Sequence, residues 1–229
     1  LESWIFDSKT NVSVNTFEDV AYSAIRLLKS GVTTTMHNYN HFNDVTAYKG
    51  EFEEALRAYQ NVGMRVQFNP GIRNANLFVY GDNETFLRQL PKEMRSFLTN
   101  PPPPGSFSGD NFVPAVKDLY QKWNGQMSKI GFGPLAPQWC TEELLLQVKQ
   151  EAEKLQVPVH VHALQTIFQK IYGLEYLGKT LIQYMDDIGM LGPRLVIGHC
   201  VWPTEKDIEL LVRTGTGVTH HPACNLRVR

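Results

Sequence analysis

Apolar residues at helical spacing, each stretch followed by a short apolar run, recur along the whole chain. Asn15-Thr16-Phe17-Glu18-Asp19 reads as a helix start, with Val20, Ala24, Leu27 and Leu28 on one face and Gly31 as the stop. A strand is predicted over Val32–Met36, running into the polar loop His37-Asn38-Tyr39-Asn40-His41. The unit then repeats. Glu51–Val62 carries Phe52, Ala55, Leu56 and Tyr59 on a stripe, and Gly63 precedes a second strand, Met64–Phe68. Glu84–Leu98 predicts a helix bent or split by Pro91, and Phe112–Gln126 predicts another.

Four more strands follow in the same cadence. Lys129–Pro134 leads into a loop that carries Trp139, and Thr141-Glu142-Glu143 caps a helix to Leu155. Val157–His162 comes next, then helical segments over Thr166–Tyr176 and Thr180–Met190, then the strand Arg194–His199. A helix from Thr204 stops at Gly215, and Thr216–His220 is the last strand, entering His220-His221-Pro222-Ala223-Cys224. Strands separated by helices specify a parallel sheet with helical crossovers. A barrel and a doubly wound open sheet both satisfy that cadence. The chain has neither GxGxxG nor GxxxxGK[ST], so nothing supports a nucleotide-binding open sheet.

Polar side chains recur just past the strands, at His37, Trp139, His162, His199 and His220, and a parallel barrel gathers such ends around one mouth. His160 and His162 are two apart on a strand and share a face, which puts His162 at the rim and His160 one layer deeper. Neutral imidazole is a common metal ligand and titrates near neutral pH, so a pair at the ends of successive strands suits metal binding or proton transfer. The competing reading is that each is a hydrogen-bonded core or loop histidine.

Composition narrows the classes. The 229 residues are expected to form one domain, with a Pro-rich surface segment at 99–111. A net charge of -1 gives no footprint for nucleic acid, and no apolar run is long enough to span a membrane. The N-terminus lacks signal-peptide features, so a cytoplasmic protein is expected. Cys140, Cys200 and Cys224 are odd in number and far apart, which predicts reduced thiols rather than a disulfide framework.

The segments SGVTTTMHN, GPLAPQWCTEELL, VPVHVHALQT and GHCVWPTEKDIELLVRTGTGVTHHPACNLRV give the chain a resemblance to the amidohydrolase superfamily, in its branch of cytosine deaminases and triazine hydrolases. That resemblance implies an eight-stranded TIM-type α/β barrel around a divalent metal, zinc or iron. The implied ligands are an H-x-H pair after the first strand, a histidine after the fifth and an aspartate after the eighth. By position, His162 resembles the fifth-strand ligand. His199 resembles the sixth-strand histidine beside the metal and its water, and His220 the seventh-strand histidine that contacts substrate. Trp139 and His37 are further candidates for substrate contact. The H-x-H pair and the aspartate have no counterparts here, which is the pattern of a barrel segment with about six of eight strands. Gln165 stands where the family usually has a glutamate, and His221 where it often has asparagine.

The resulting expectation is a metal-dependent amidohydrolase acting on a C–N bond of a small heterocyclic or amide-like substrate, with Gln165 and His199 handling substrate and proton. The rivals are a barrel that has lost its chemistry and a hydrolase of ring–halogen bonds. A homo-oligomer is implied by the resemblance alone.

Overall fold

A computed structural model describes residues 15–40, 48–100 and 109–227. The loop histidine His41 and most of the Pro-rich segment lie outside these residues. The strands are β1 (Thr34–Tyr39), β2 (Arg65–Ile72), β3 (Ser128–Ile130), β4 (Gly133–Pro134), β5 (Val159–Ala163), β6 (Leu195–His199) and β7 (Gly217–Thr219). β3 and β4 are two halves of the single predicted strand Lys129–Pro134, and both pair with β2.

Every pairing is parallel. β1, β2 and β3/β4 form one run, and β5, β6 and β7 form another. The two runs are joined by a bridge between Phe132 and Val159, where Phe132 N donates to Pro158 O (3.1 Å) and His160 N to Phe132 O (2.8 Å). Strands therefore follow one another in chain order around a curved wall, the arrangement of a (β/α) barrel with part of its circumference present.

Helices separate the strands as the pattern predicts: α1 (Thr16–Lys29), α2 (Tyr48–Val62), α3 (Asn83–Gln89), α4 (Lys92–Thr99), α5 (Gly109–Trp123), α6 (Glu142–Leu155), α7 (Ile167–Tyr172), α8 (Leu181–Asp187), α9 (Glu205–Thr214) and α10 (Pro222–Arg227). Pro91 splits the predicted Glu84–Leu98 helix into α3 and α4, since its ring cannot continue a helix through residue 91. α7 runs on as a π turn, Gly173–Leu177.

The caps form where the residue types call for them. Asn15 accepts from Glu18 N at 3.0 Å and Thr141 accepts from Leu144 N at 3.4 Å. At α9 the Thr204–Asp207 capping box is complete, and the buried Asp207 also accepts from Thr180 Oγ1. One carboxylate thus ties the starts of α8 and α9 together behind β6.

Strand parity divides the sheet into two faces. Phe52, Ala55, Leu56 and Tyr59 of α2 pack with Val66 and Phe68 of β2 in the apolar layer between helices and sheet. Val159, Val161 and Ala163 of β5 join that layer. The opposite, inner face carries Asn38, Asn69, His160, His162 and Thr219, joined by hydrogen bonds and ring contacts.

Candidate functional site

His160 and His162 turn to the same inner face, with ring centroids 5.1 Å apart. The register pairs His162 with Gly198 on β6. That glycine makes the approach possible, because a Cβ at 198 would lie 2.8 Å from His160 Cε1 and 3.2 Å from His162 Cδ2.

His199 ends β6 and meets His162 at a ring separation of 5.4 Å. Its backbone has φ 74°, while Cys200 N donates to Gly198 O at 3.1 Å. This is a three-residue turn of the rare, strained sense. Leu164 and Cys200 also have positive φ, at 53° and 47°. Their segments are laced together, with Cys200 N donating to Ala163 O and Val201 N to Leu164 O. Strain held in place by surrounding bonds at two strand ends is typical of functional sites.

Hydrogen bonds assign the tautomers. His162 Nδ1 donates to Leu135 O (2.8 Å), and His199 Nδ1 donates to Asn225 Oδ1 (2.6 Å). Each ring therefore carries its proton on Nδ1 and keeps a lone pair on Nε2, the form in which a histidine ligates a metal while its other nitrogen is held by an acceptor.

His160 is used differently. Asn69 Nδ2 donates to Asn38 Oδ1 (2.9 Å), Asn38 Nδ2 donates to His160 Nδ1 (2.8 Å), and His160 Nε2 then donates to Thr219 Oγ1 (3.3 Å). The Thr219 hydroxyl is left to donate to His221 Nε2 (3.1 Å). Both His160 nitrogens are occupied, so it supports the inner face from below.

Burial holds the cluster neutral. It pushes His160 down to about 3 and His162 down to about 4, with the neighbouring imidazoles adding to the depression. The bond to Leu135 opposes it at His162. His199 and His221 are lowered in the same direction, also chiefly by burial.

Gln165 is buried three residues after His162. Its N donates to Gln169 Oε1 (2.8 Å) and its Nε2 contacts Cys224 Sγ (3.6 Å). Trp139, at the end of the 3-10 turn Pro137–Trp139, is buried with Leu135 and Ala136 under the Arg73 guanidinium, 5.6 Å from the indole centroid.

Two expected residues lie elsewhere. β1 continues past Met36 to Tyr39, so parity puts Asn38 inside and turns His37 toward the helices. The His37 ring packs against Tyr59 and Phe68, its Nδ1 3.1 Å from Tyr59 Oη, and burial lowers it to about 4. His220 is exposed and is joined to the cluster by a hydrogen bond with Asn225 Nδ2, 3.0 Å from its Nδ1. His221 takes the inner place instead, its ring 4.7 Å from that of His199. Sequence reading noted His221 only as a departure from the family pattern and gave Asn225 no role. The signal for them was Pro222, a favoured first residue of a helix, here α10, which carries Asn225 back toward His199.

The fold and this cluster define a parallel α/β barrel protein that gathers imidazoles at its strand ends. A profile of the amidohydrolase family matches residues 1–229, and the chain belongs to that family. A 5-methylthioadenosine/S-adenosylhomocysteine deaminase from Desulfitobacterium hafniense is 32% identical, with 98% of this chain and 43% of the relative covered. A 5'-deoxyadenosine deaminase from Methanothermobacter thermautotrophicus is 24% identical, with 100% of this chain and 46% of the relative covered. The chain thus spans less than half the length of these relatives.

Among solved structures, a variant of atrazine chlorohydrolase from Arthrobacter aurescens, complexed with zinc and atraton, superposes with a TM-score of 0.75 at 18% identity, covering 99% of this chain and 46% of that one. An adenosine deaminase from Xanthomonas campestris with bound zinc gives 0.74 at 21%, covering 98% and 44%. These likenesses support the barrel fold.

The donor set fits part of a metal centre. Two neutral imidazoles present Nε2 lone pairs from neighbouring strands, but among the described residues no group of three or more His, Cys, Asp or Glu side chains is placed to hold an ion.

Proposed function

We propose that the complete protein is a metal-dependent amidohydrolase that uses water to cleave a C–N bond of a small nitrogen heterocycle, and that residues 1–229 supply one side of its site. The observation that carries this reading is the His162–His199 pair, 5.4 Å apart with both Nδ1 atoms bound to acceptors. His162 would hold the ion, with further ligands from outside the described residues. His199 stands beside it. When bound, zinc or iron supplies the Lewis acidity that makes water a nucleophile near neutral pH.

The chain's own residues orient and move protons. Leu135 O and Asn225 Oδ1 fix the ring planes of His162 and His199. His199 Nε2, left as an acceptor, can take a proton from the attacking water or hold it by a hydrogen bond. Gln165 can position a ring nitrogen with its amide but cannot donate a titrating proton.

That last point favours a second reading of the same site. An amine must be protonated to leave, whereas a halide leaves as the anion, so Gln165 suits displacement of a ring halogen. The test is a hydrolysis screen of the complete protein over paired amino- and chloro-substituted purines, pyrimidines and triazines. Turnover of amino compounds supports the first reading and turnover of chloro compounds alone the second. Turnover of neither, with zinc or iron supplied, contradicts both. Among the described residues no helix is long and apolar enough to cross a membrane.

A further inference from the structure

Two buried glutamine side chains, on segments that are hydrogen-bonded to His162 and to Gln165, have hydrogen-bonding capacity that the fold leaves unused. Gln138, in the middle of the 3-10 turn after β4, is 2% exposed, and among the described residues neither its Oε1 nor its Nε2 has a partner. Gln169 of α7 is fully buried. Its Oε1 accepts from Gln165 N, but its Nε2 has no partner among the described residues. A buried polar group left unpaired costs about 1–3 kcal/mol, and the great majority of such groups in native proteins are paired.

Both glutamines belong to one seam. At its root, His162 N and Nδ1 both donate to Leu135 O (3.0 and 2.8 Å), tying the segment after β4 to β5. Farther out, Asn76 Nδ2 donates to Gln138 O (2.6 Å) and to Tyr172 Oη (3.2 Å), tying the same segment to the end of α7. The Gln169–Gln165 bond closes the circuit, since Gln165 follows His162 by three residues. Backbone and side-chain bonds thus hold this seam shut at both ends without using the two amides.

We propose that Gln138 and Gln169 form a ligand-reading subsite next to the histidine cluster, one that takes the donor–acceptor edge of a nitrogen heterocycle, such as the lactam or amidine edge of a purine. A primary amide complements that edge with one donor and one acceptor, the pairing by which glutamine reads adenine. Gln138 supplies both groups, and Gln169 adds a donor through Nε2. A ring without a matching edge would leave these atoms unpaired in the complex and be disfavoured. The inference rests on the hydrolase reading only for which end of the ligand faces His162 and His199. The rival explanation is that ordered waters fill the seam and the glutamines serve stability.

The experiment measures binding of hypoxanthine and of purine to the complete protein by calorimetry, with thermal unfolding of the unliganded protein alongside. The wild type is expected to prefer hypoxanthine by about 10-fold, and Gln138→Met and Gln169→Met each to erase most of that preference while purine affinity stays within about 3-fold. The unliganded unfolding midpoint of Gln138→Met should hold or rise, because an unpaired amide has been removed, whereas that of Gln169→Met should fall, because the buried Gln165 N loses its acceptor. Should Gln138→Met fail to fold, Gln138→Asn, which draws the amide back by one methylene, is expected to lose the same preference. A wild type without preference, or variants that keep it, overturns the subsite, and a lowered Gln138→Met midpoint with preference intact assigns that glutamine to structural water. If the preference is present but the complete protein hydrolyses nothing, the hydrolase reading fails and the subsite stands.

Discussion

Gly198 lies so close to His160 that a Cβ on residue 198 would stand 2.8 Å from His160 Cε1. Replacement by alanine must therefore push the deeper ring, the His162 ring, or both out of place. Gly198→Ala is expected to destabilise the protein by about 1–3 kcal/mol, the usual cost of overpacking a filled interior. Metal affinity should fall with it. Urea unfolding and a zinc titration of the complete protein check this, and unchanged values for both would mean that the inner face is looser than the geometry indicates.

Asn225 holds His199 from a different element. Without its Oδ1 the His199 Nδ1–H loses its acceptor, and the ring is free to change tautomer. Asn225→Ala is expected to reduce metal affinity or turnover by about 10- to 100-fold, as loss of an outer partner of a site histidine typically does. Asn225→Asp keeps an acceptor and should retain most of the function. Equal losses in the two variants would point to a merely structural role in α10.

Acid should weaken the fold through His160. Its folded-state pKa of about 3 lies below the ordinary 6.5, so between those values the unfolded chain binds the proton that the folded chain excludes. The contribution is fully present above pH 6.5 and is lost as pH falls toward 3. Between pH 6.5 and 5 the loss is roughly 2 kcal/mol from this group. Urea unfolding of metal-free protein at the two pH values measures it. In His160→Gln the difference between the two pH values should shrink by about that amount, and an unchanged difference would show that other groups set the acid response.

Gln165 offers a gain-of-function test. Gln165→Glu introduces a titratable group three residues past His162, and positioned general acid–base catalysis is typically worth about 10²- to 10⁴-fold. Turnover of amino-substituted heterocycles is expected to rise relative to their chloro counterparts. A fall for both substrate types would show that the amide is needed for binding, held in place by the contact of its Nε2 with Cys224 Sγ.

Much of the barrel was legible in the sequence because alternation of helix and strand is written in periodicity and punctuated by residues with fixed geometry. Asn15, Thr141 and Thr204 cap helices where expected, and Gly215 stops one at φ 69°. The His162 and His199 pair was legible for the same reason, since each falls at the end of a short β-branched run. Residues whose placement depends on where a strand stops were misread. Three residues more of β1 exchange His37 for Asn38 on the inner face, and the end of β7 at Thr219 exchanges His220 for His221. The Gln67–Asn69–Asn38–His160 ladder was hidden because its members come from three strands far apart in sequence and meet only through the sheet register.

The central claim is that His162 and His199 flank one metal-dependent hydrolytic site. Its most direct test is the metal content of the complete protein, measured on wild type and His162→Ala after equilibration with zinc at pH 7.5. A stoichiometric ion is expected in the wild type, together with hydrolysis of at least one heterocycle, and loss of both in the variant. An ion retained at full occupancy and activity undiminished in His162→Ala would contradict it.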